Sequence, residues 1–308
     1  MRGPVIVVGS LNADVNVLLD RMPERGETVL SEDVTQHPGG KGLNQAVAAA
    51  RFGAAVHLVG AVGSDAGGEM LRDVAAREGI DVGSLVTLPG ASGTALIEVE
   101  PDGANRIVVI RGANARLSPQ TVREAIAAVA DPAVVLVQCE IPIEAIEAAM
   151  EAGRAAGALT ILNPAPVVPL SHDLLTHVDV IVPNEHEAEL LTGLPTNTLV
   201  DAQEAAALFN EQGIAYGIIT RGSHGSVWST TAHGAGSTPT YPVTAVDTVS
   251  AGDAFCGVLA AALAEGHEFQ DAMRSASAAG ALATTVVGAV PCLPTRAEID
   301  ALRREHGE

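Results

Sequence analysis

Short, nearly uninterrupted aliphatic runs alternate with alanine-rich stretches along most of this chain, and that alternation leaves few folds open. Val5–Val8, Val56–Val59, Thr94–Val99, Ile107–Ile110, Val134–Gln138, Leu159–Leu162, Val178–Val182 and Ala215–Thr220 read as strands. Helical periodicity predicts helices near residues 43–52, 67–78, 119–129, 143–156, 201–212, 253–265 and 269–286. After residue 130 the strands lack the apolar–polar alternation of a half-exposed sheet, as expected for parallel strands covered on both faces. Alternating strand and helix units of this kind predict a three-layer α/β domain. The 308 residues allow one large domain, with or without a small appendage. Only 2% of them are aromatic, so Ala, Val, Leu and Ile must fill the core.

Two segments break the rhythm. Residues 12–38 and 93–113 are strand-like, punctuated by Gly, Pro and Asp, and have no helical period. The second reads as a hairpin, Thr94 to Glu100 and Arg106 to Ile110, turning at Asp102-Gly103. A small β-sheet projecting from the main domain accounts for both segments, and beside an active site it could serve as a lid.

The formal net charge of −20 argues against nucleic acid, which attracts clustered Lys and Arg, and the scarcity of aromatic rings argues against base stacking. No apolar stretch is long enough to span a bilayer, and Met1 leads directly into the first strand without a signal-peptide pattern. Cys139, Cys256 and Cys292 are widely spaced and match no metal motif, as expected for reduced thiols in a cytoplasmic protein. Of the 17 basic residues, 16 are arginine, and the one lysine is Lys41, set in His37-Pro-Gly-Gly-Lys-Gly42. A compact ammonium fits among glycines where a planar guanidinium fork does not.

Ligands of open parallel sheets bind beyond the carboxyl ends of the strands. The predicted strands run into Gly9-Ser10-Leu11-Asn12-Ala13-Asp14, Cys139-Glu140, Asn163, Asn184-Glu185-His186-Glu187 and Arg221-Gly222-Ser223. Any one of these would serve as a turn or a helix cap; five on one sheet edge point to a site. Pro38-Gly39-Gly40-Lys41-Gly42-Leu43-Asn44 precedes a helix, where glycines admit close approach of a ligand and the first N–H groups are free. Its spacing is not that of a Walker A loop. The strongest signal is Asp247-Thr248-Val249-Ser250-Ala251-Gly252-Asp253 before a long apolar helix. The N–H groups of Ala251, Gly252 and Asp253 would converge at the positive end of the helix dipole, a cradle for a transferred phosphoryl group. The Asp253 carboxylate beside it can take the proton of an attacking hydroxyl.

Gly39-Gly40-Lys41-Gly42-Leu43-Asn44-Gln45-Ala46 and Asp247 to Asp253 resemble the two signatures of the ribokinase family of carbohydrate and nucleoside kinases. Gly9 to Asp14, Arg111-Gly-Ala-Asn-Ala115, Asn163-Pro-Ala-Pro166, Pro183 to Glu187 and Thr220 to Ser223 continue the likeness in the family's order. The resemblance implies a doubly wound α/β fold with a β-sheet lid that often pairs two subunits. It implies ATP-dependent phosphorylation of a small sugar, D-ribose at its 5-hydroxyl, with Asp253 as base and the Ala251, Gly252 and Asp253 amides as anion hole. Asn12, Asp14, Gly40, Lys41, Asn44 and Glu140 match sugar-holding positions. Asn184 and Glu187 match the motif that organises Mg²⁺ and phosphate, partly through water. Thr220, Gly222, Ser223 and Gly225 match the nucleotide loop, and Ser277 the adenine region. An activating K⁺ would lie against Asp247 and the carbonyls of Val249, Ala283 and Gly288; there Cys292 stands where serine is common, and a thiol is a poor ligand for a hard cation. Ser250 likewise replaces a frequent glycine.

Other readings compete. A nucleoside substrate would call for aromatics, and Phe52 is the only one in the first hundred residues. A phosphorylated sugar would draw on Arg106 and Arg111. Fructose or 2-deoxyribose is not excluded by residue type. A silent binding protein would be expected to lose Asp253 or the anion hole. A dinucleotide-dependent dehydrogenase is disfavoured because Gly9 to Asp14 lacks the glycine spacing.

Overall fold

Strand β1 (Val5–Val8) is fully buried because both of its faces meet helices. Side chains alternate across a strand, so Val5 and Val7 enter one apolar core while Ile6 and Val8 enter another. The computed structural model, which describes residues 3–31, 33–100, 105–232 and 234–308, repeats this division along the central sheet. After β1 come β2 (Asn12–Leu18), β3 (Val34–Gly39), β4 (Val56–Gly63), β5 (Leu85–Leu88), β6 (Gly93–Val99) and β7 (Asn105–Ile110). They are followed by β8 (Val134–Gln138), β9 (Leu159–Asn163), β10 (Val180–Ile181), β11 (Tyr216–Thr220), β12 (Ser226–Thr230) and β13 (Gly234–Thr238). The helices are α1 (Lys41–Phe52), α2 (Ala66–Arg77), α3 (Pro119–Ala127), α4 (Ile143–Ala155), α5 (His172–Leu175), α6 (Glu185–Thr192), α7 (Leu199–Glu211), α8 (Ala251–Glu265), α9 (Phe269–Ala283) and α10 (Arg296–Glu305).

The main sheet runs β13-β12-β11-β10-β9-β8-β1-β4-β5. It is parallel from β5 to β11 and closes with the antiparallel pairs β11/β12 and β12/β13. The core containing Val5 and Val7 includes residues of α1, α2, α8, α9 and α10; the core containing Ile6 and Val8 includes residues of α3, α4 and α7. This is the doubly wound, three-layer architecture. From β1 the chain builds one side of the sheet through β4 and β5, then returns to β8 and builds the other side. Strand order therefore reverses between β1 and β8, and the crevice above such a switch point is where ligands bind.

A second sheet, β3-β2-β6-β7, stands apart. β2 pairs antiparallel with β3 and parallel with β6, and β6 pairs antiparallel with β7. The hairpin expected from residues 94–110 is present, while its turn at Asp102-Gly103 lies outside the described residues. Of the strand-like segment 12–38, only the two ends are strand; residues 19–31 and 33 are irregular. Residues 112–116 form a 3₁₀ turn rather than strand.

Other differences have local causes. β5, β12 and β13 were not predicted: β12 is buried yet reads Ser-Val-Trp-Ser-Thr, too polar to resemble the neighbouring apolar runs. Asn184 to Glu187, read as a strand end, opens α6 through a reciprocal cap in which Asn184 Oδ1 accepts the Glu187 N–H and Glu187 Oε2 accepts the Asn184 N–H, both at 2.8 Å. α10, also not foreseen, starts with the same kind of cap at Thr295 and Glu298. Among the helices that begin earlier than periodicity indicated are α1 at Lys41 and α8 at Ala251, where glycines in the first turn have no apolar side chain to mark it. Among the described residues no helix is long and apolar enough to cross a membrane.

Candidate active site

The polar residues that end β1, β8, β9, β10 and β11 all reach one edge of the sheet, and the first turns of α1 and α8 close over that edge. Glycines let α1 come this near. A Cβ on Gly42 would lie 2.5 Å from the Gly9 carbonyl carbon, and one on Gly257 would lie 2.4 Å from the Gln45 carbonyl oxygen. Gly42 thus seats α1 on the end of β1, and Gly257 seats it against α8 one turn beyond Asp253.

Asp253 is buried in the first turn of α8 and holds two side-chain amides. Asn44 Nδ2 donates to Oδ2 at 3.0 Å, and Gln45 Nε2 donates to Oδ1 at 2.9 Å. Asn44 Nδ2 also lies 3.0 Å from Ser250 Oγ. Ser250 caps α8 with φ 59°, the left-handed region in which glycine is at ease. The opening N–H groups of a helix have no carbonyl one turn back. Ala251 N–H has a long contact with the Thr248 carbonyl, 3.4 Å. Apart from its chain neighbours and the helix's own backbone, no atom lies within 4 Å of where a side chain at Gly252 would begin.

Two adjoining cavities meet here. One of about 200 Å³ is bounded by Lys41, Asn163, Glu187, Ser250, Asp253 and Cys256, among others. A larger cleft of about 810 Å³ runs past Thr220, Gly222, Ser223 and Gly225 to Ala251, Phe255 and Ser277. Asn184, Thr220, Thr248 and Gly252 line both. The far wall of the large cleft is mostly apolar, with Tyr241, Pro242, Val243, Phe255 and Ala281, which suits a flat heteroaromatic ring better than a sugar. Ser277 Oγ donates to the Pro239 carbonyl at 2.7 Å and keeps its lone pairs. Gly222 and Gly225 both have positive φ, and a Cβ at Gly225 would lie 2.2 Å from the Thr238 carbonyl oxygen, so the loop requires glycine there.

Asn12, Asp14, Asn44 and Glu140 line neither cavity; Asn44 is bonded to Asp253, and Asp14 lies near Glu140 and Asp253. Asn114 Nδ2 donates to Asn12 Oδ1 at 2.9 Å, which leaves the Asn12 amide hydrogens for another partner. Asp14 Oδ1 is buried with no hydrogen-bond partner. Burial, with the Glu140 and Asp253 charges nearby, pushes the Asp14 carboxyl up to about 7. A Cβ on Gly39 would lie 2.1 Å from Asp14 Oδ2, so that glycine makes room for the carboxylate. Ser10 Oγ donates to Glu140 Oε2 at 2.5 Å, and the Lys41 N–H approaches the same oxygen at 3.4 Å. Burial works against the Lys41 ammonium, but Asp253, Glu140 and Glu187 outweigh it and raise its pKa. The only lysine in the chain is thus the counter-ion of an acidic cluster.

Glu187 spends Oε2 on the α6 cap, and burial raises its pKa. Next to the start of α8, Asp247 accepts the N–H groups of Val249 and Gly288, each at 3.0 Å. The Thr284 carbonyl, adjacent to Ala283, takes the N–H groups of Val246 and Asp247. The structure therefore gathers Asp247, Val249, Gly288 and Cys292 in one loop system with Ala283 alongside. Cys292 Sγ donates to the Ala289 carbonyl at 3.1 Å and approaches the Val249 carbonyl at 3.7 Å. Burial, followed by the Asp247 and Asp253 charges, pushes the thiol up to about 11. In this arrangement the thiol is a donor to backbone carbonyls.

Sequence reasoning gave Gln138 no site role, quoted Ser10, Gln45, Asn114 and Thr248 only as parts of motifs, and named Asn163 only as a strand-end and motif residue. Gln45 sits inside the glycine–lysine segment and Gln138 ends a buried strand, so position alone was the available signal.

These features define a nucleotide-sized cleft opening on a carboxylate at a helix N-terminus, the layout of a phosphotransferase. The chain belongs to the pfkB family of carbohydrate kinases, whose profile matches residues 4–296. It is 38% identical to a ribokinase of Haemophilus influenzae over 299 residues, 97% of each chain. It is 39% identical to a ribokinase of Bacillus subtilis over 303 residues, covering 97% of this chain and 98% of that one. The structure of Arabidopsis thaliana ribokinase complexed with ribose and ATP superposes with a TM-score of 0.89 at 31% identity, covering 98% and 99%.

Proposed function

We propose that this chain transfers the γ-phosphate of ATP to the 5-hydroxyl of D-ribose. The observation that carries the proposal is the buried Asp253 carboxylate, held by two amides on the wall of the smaller cavity next to Gly252, which lines both. Adenine would lie along the apolar wall near Ser277, with the phosphates along Thr220, Gly222, Ser223 and Gly225. Ribose would occupy the flank formed by Asn12, Asp14, Gly40, Lys41, Asn44 and Glu140. Asp253 would take the hydroxyl proton as the oxygen attacks, and the Ala251, Gly252 and Asp253 amides would meet the charge on the transferring group. The ribokinase relatives support ribose over other sugars.

Asn184 and Glu187 would organise Mg²⁺, which would neutralise phosphate charge when bound. The Asp247 carboxylate and the Val249, Ala283 and Gly288 carbonyls are hard oxygen donors that suit a monovalent cation such as K⁺; Cys292 does not add to that set. The small sheet carrying Asn12 and Asp14 would act as a lid over the sugar, inserted by the segments near 12–38 and 93–113 into a single 1–308 kinase domain. Its exposed Leu18, Val34, Val108, Val109 and Ile110 would pair it with a second copy as a homodimer. ATP as co-substrate fits a cytoplasmic location.

The test is ADP release with ATP–Mg²⁺ against ribose, 2-deoxyribose, fructose, fructose phosphates and adenosine, each with and without K⁺. Ribose is expected to give the highest kcat/KM, and K⁺ to raise it. No stimulation by any sugar sinks the kinase reading, and a preference for adenosine sinks the choice of ribose.

A pH prediction follows from Asp14. Its carboxyl titrates near 7 in the free protein against an ordinary value of 3.8. The native state therefore holds a proton that the unfolded chain releases, and this contribution to stability falls as pH rises from about 4 through 7. Sugar hydroxyls donate to the charged carboxylate, so ribose is expected to bind more weakly as pH drops below 7. Calorimetric titration between pH 5.5 and 8.5 checks this; Asp14→Asn should weaken binding and flatten the profile.

A further inference from the structure

The base candidate is not held by the sugar-site asparagine alone. Behind it runs a chain of buried amides that the family signatures do not explain. Gln138 Nε2, at the end of β8, donates to Gln45 Oε1 at 2.6 Å. Gln45 Nε2 then donates to Asp253 Oδ1 at 2.9 Å and to Asn163 Oδ1 at 3.0 Å. Asn163 Nδ2 is committed to the Val182 carbonyl at 2.8 Å. Gln45 and Gln138 have no solvent exposure. Gln138 donates to Gln45 and Gln45 donates to the carboxylate, while a branch from Gln45 runs back to the sheet through Asn163 and on to the Val182 carbonyl.

That direction has a cause. A glutamine amide can flip, and a flipped Gln45 would turn its oxygen on a carboxylate oxygen and on Asn163 Oδ1. The Gln138 donor opposes a flip of Gln45 alone, because the flipped Gln45 would meet it with another donor; Gln138 Oε1 has no partner, so a joint flip is blocked at Asp253 and Asn163 instead. Asn163 cannot reverse without losing the Val182 carbonyl. The orientation is therefore fixed by two strands of the sheet, β8 and β9, and by the absence of a side chain at Gly257, which lets α1 lie against α8.

We propose that Gln45 is a positioning residue for phosphoryl transfer, anchored by Gln138: it fixes the aim of the Asp253 carboxylate into the smaller cavity. This rests on Asp253 being the base. A buried carboxylate is costly unless hydrogen-bonded, and donors to the charged form favour that form. Amides supply those donors without titrating themselves, so the support stays constant with pH. The titratable groups around Asp253 are Lys41 on α1, Asp14 on β2, Glu187 on α6, Cys256 on α8 itself and Cys292 after α9, of which Lys41 is the cation. With Gln45 removed, Asn44 would be left as the side-chain amide holding the carboxylate.

The test is kcat and ribose KM at saturating ATP–Mg²⁺, with ribose binding followed by calorimetry. For Gln45→Met kcat should fall about tenfold, with ribose KM and affinity changed less than about twofold. Gln138→Met, which does not touch Asp253, should lower kcat by less. Circular dichroism establishes that each variant is folded. If Gln45→Met does not fold, the Gln138→Met rates decide. A folded Gln45→Met variant with near-normal kcat, or one whose loss lies in ribose KM, overturns the proposal. An unmodified chain without sugar-dependent turnover overturns the parent reading and this one with it.

Discussion

Asp253→Asn is expected to lower kcat by about three orders of magnitude, within the ~10²–10⁴-fold typical of a general base, while ribose still binds. The structure explains why binding and fold should survive. The new amide places a donor where the carboxylate had a second acceptor, so one oxygen can still take the Gln45 N–H. The other position then faces Asn44 Nδ2, donor to donor. Asn44 Oδ1 is buried without a partner, so rotating the Asn44 amide gives the new N–H₂ an acceptor and leaves Ser250 Oγ to donate in its place. The stability cost should stay within about 1 kcal/mol, that of one exchanged hydrogen bond. Single-turnover ADP formation and calorimetric ribose binding measure the two effects separately. Near-normal turnover in this variant would remove Asp253 from the base role.

Lys41→Met is the second large effect. Lys41 compensates Asp253, Glu140 and Glu187, and the incoming triphosphate adds more negative charge. At a separation of about 5 Å and an effective dielectric of 20, one unit charge is worth ~3 kcal/mol, so kcat/KM should fall by about two orders of magnitude. The loss should grow from pH 6 to pH 8, because Asp14 ionises near 7 and leaves more charge unbalanced. Thermal unfolding should show the same trend. Lys41→Arg restores the charge but not the shape, since the first turn of α1 sits directly on β1 through Gly42 and Gly9. It should recover only part of the rate. A Lys41→Met enzyme with unchanged kcat/KM at both pH values would show that the ammonium has no electrostatic role.

Much of this was legible in the chain. The aliphatic runs at 5–8 and 134–138 were found with their observed bounds because strands buried on both faces have no polar positions to blur them. The strand-end residues did gather at one edge, because parallel strands all point their carboxyl ends the same way. β12 and α6 were not legible. The first is buried despite three hydroxyl residues, and the second begins with polar capping residues that look like an ordinary strand end.

The sequence by itself determined the layered α/β class, the family and the residues assembled near Asp253. Period, spacing and residue type are local properties that survive without a fold. Only the tertiary structure decided how those residues are used. Asn114 sets the Asn12 amide across 102 positions, and Gln138 reaches Gln45 across 93. Cys292 spends its thiol on neighbouring carbonyls. The direction of an amide depends on which donor or acceptor faces it, and for a buried glutamine that partner comes from another strand or helix, at a distance no local pattern encodes.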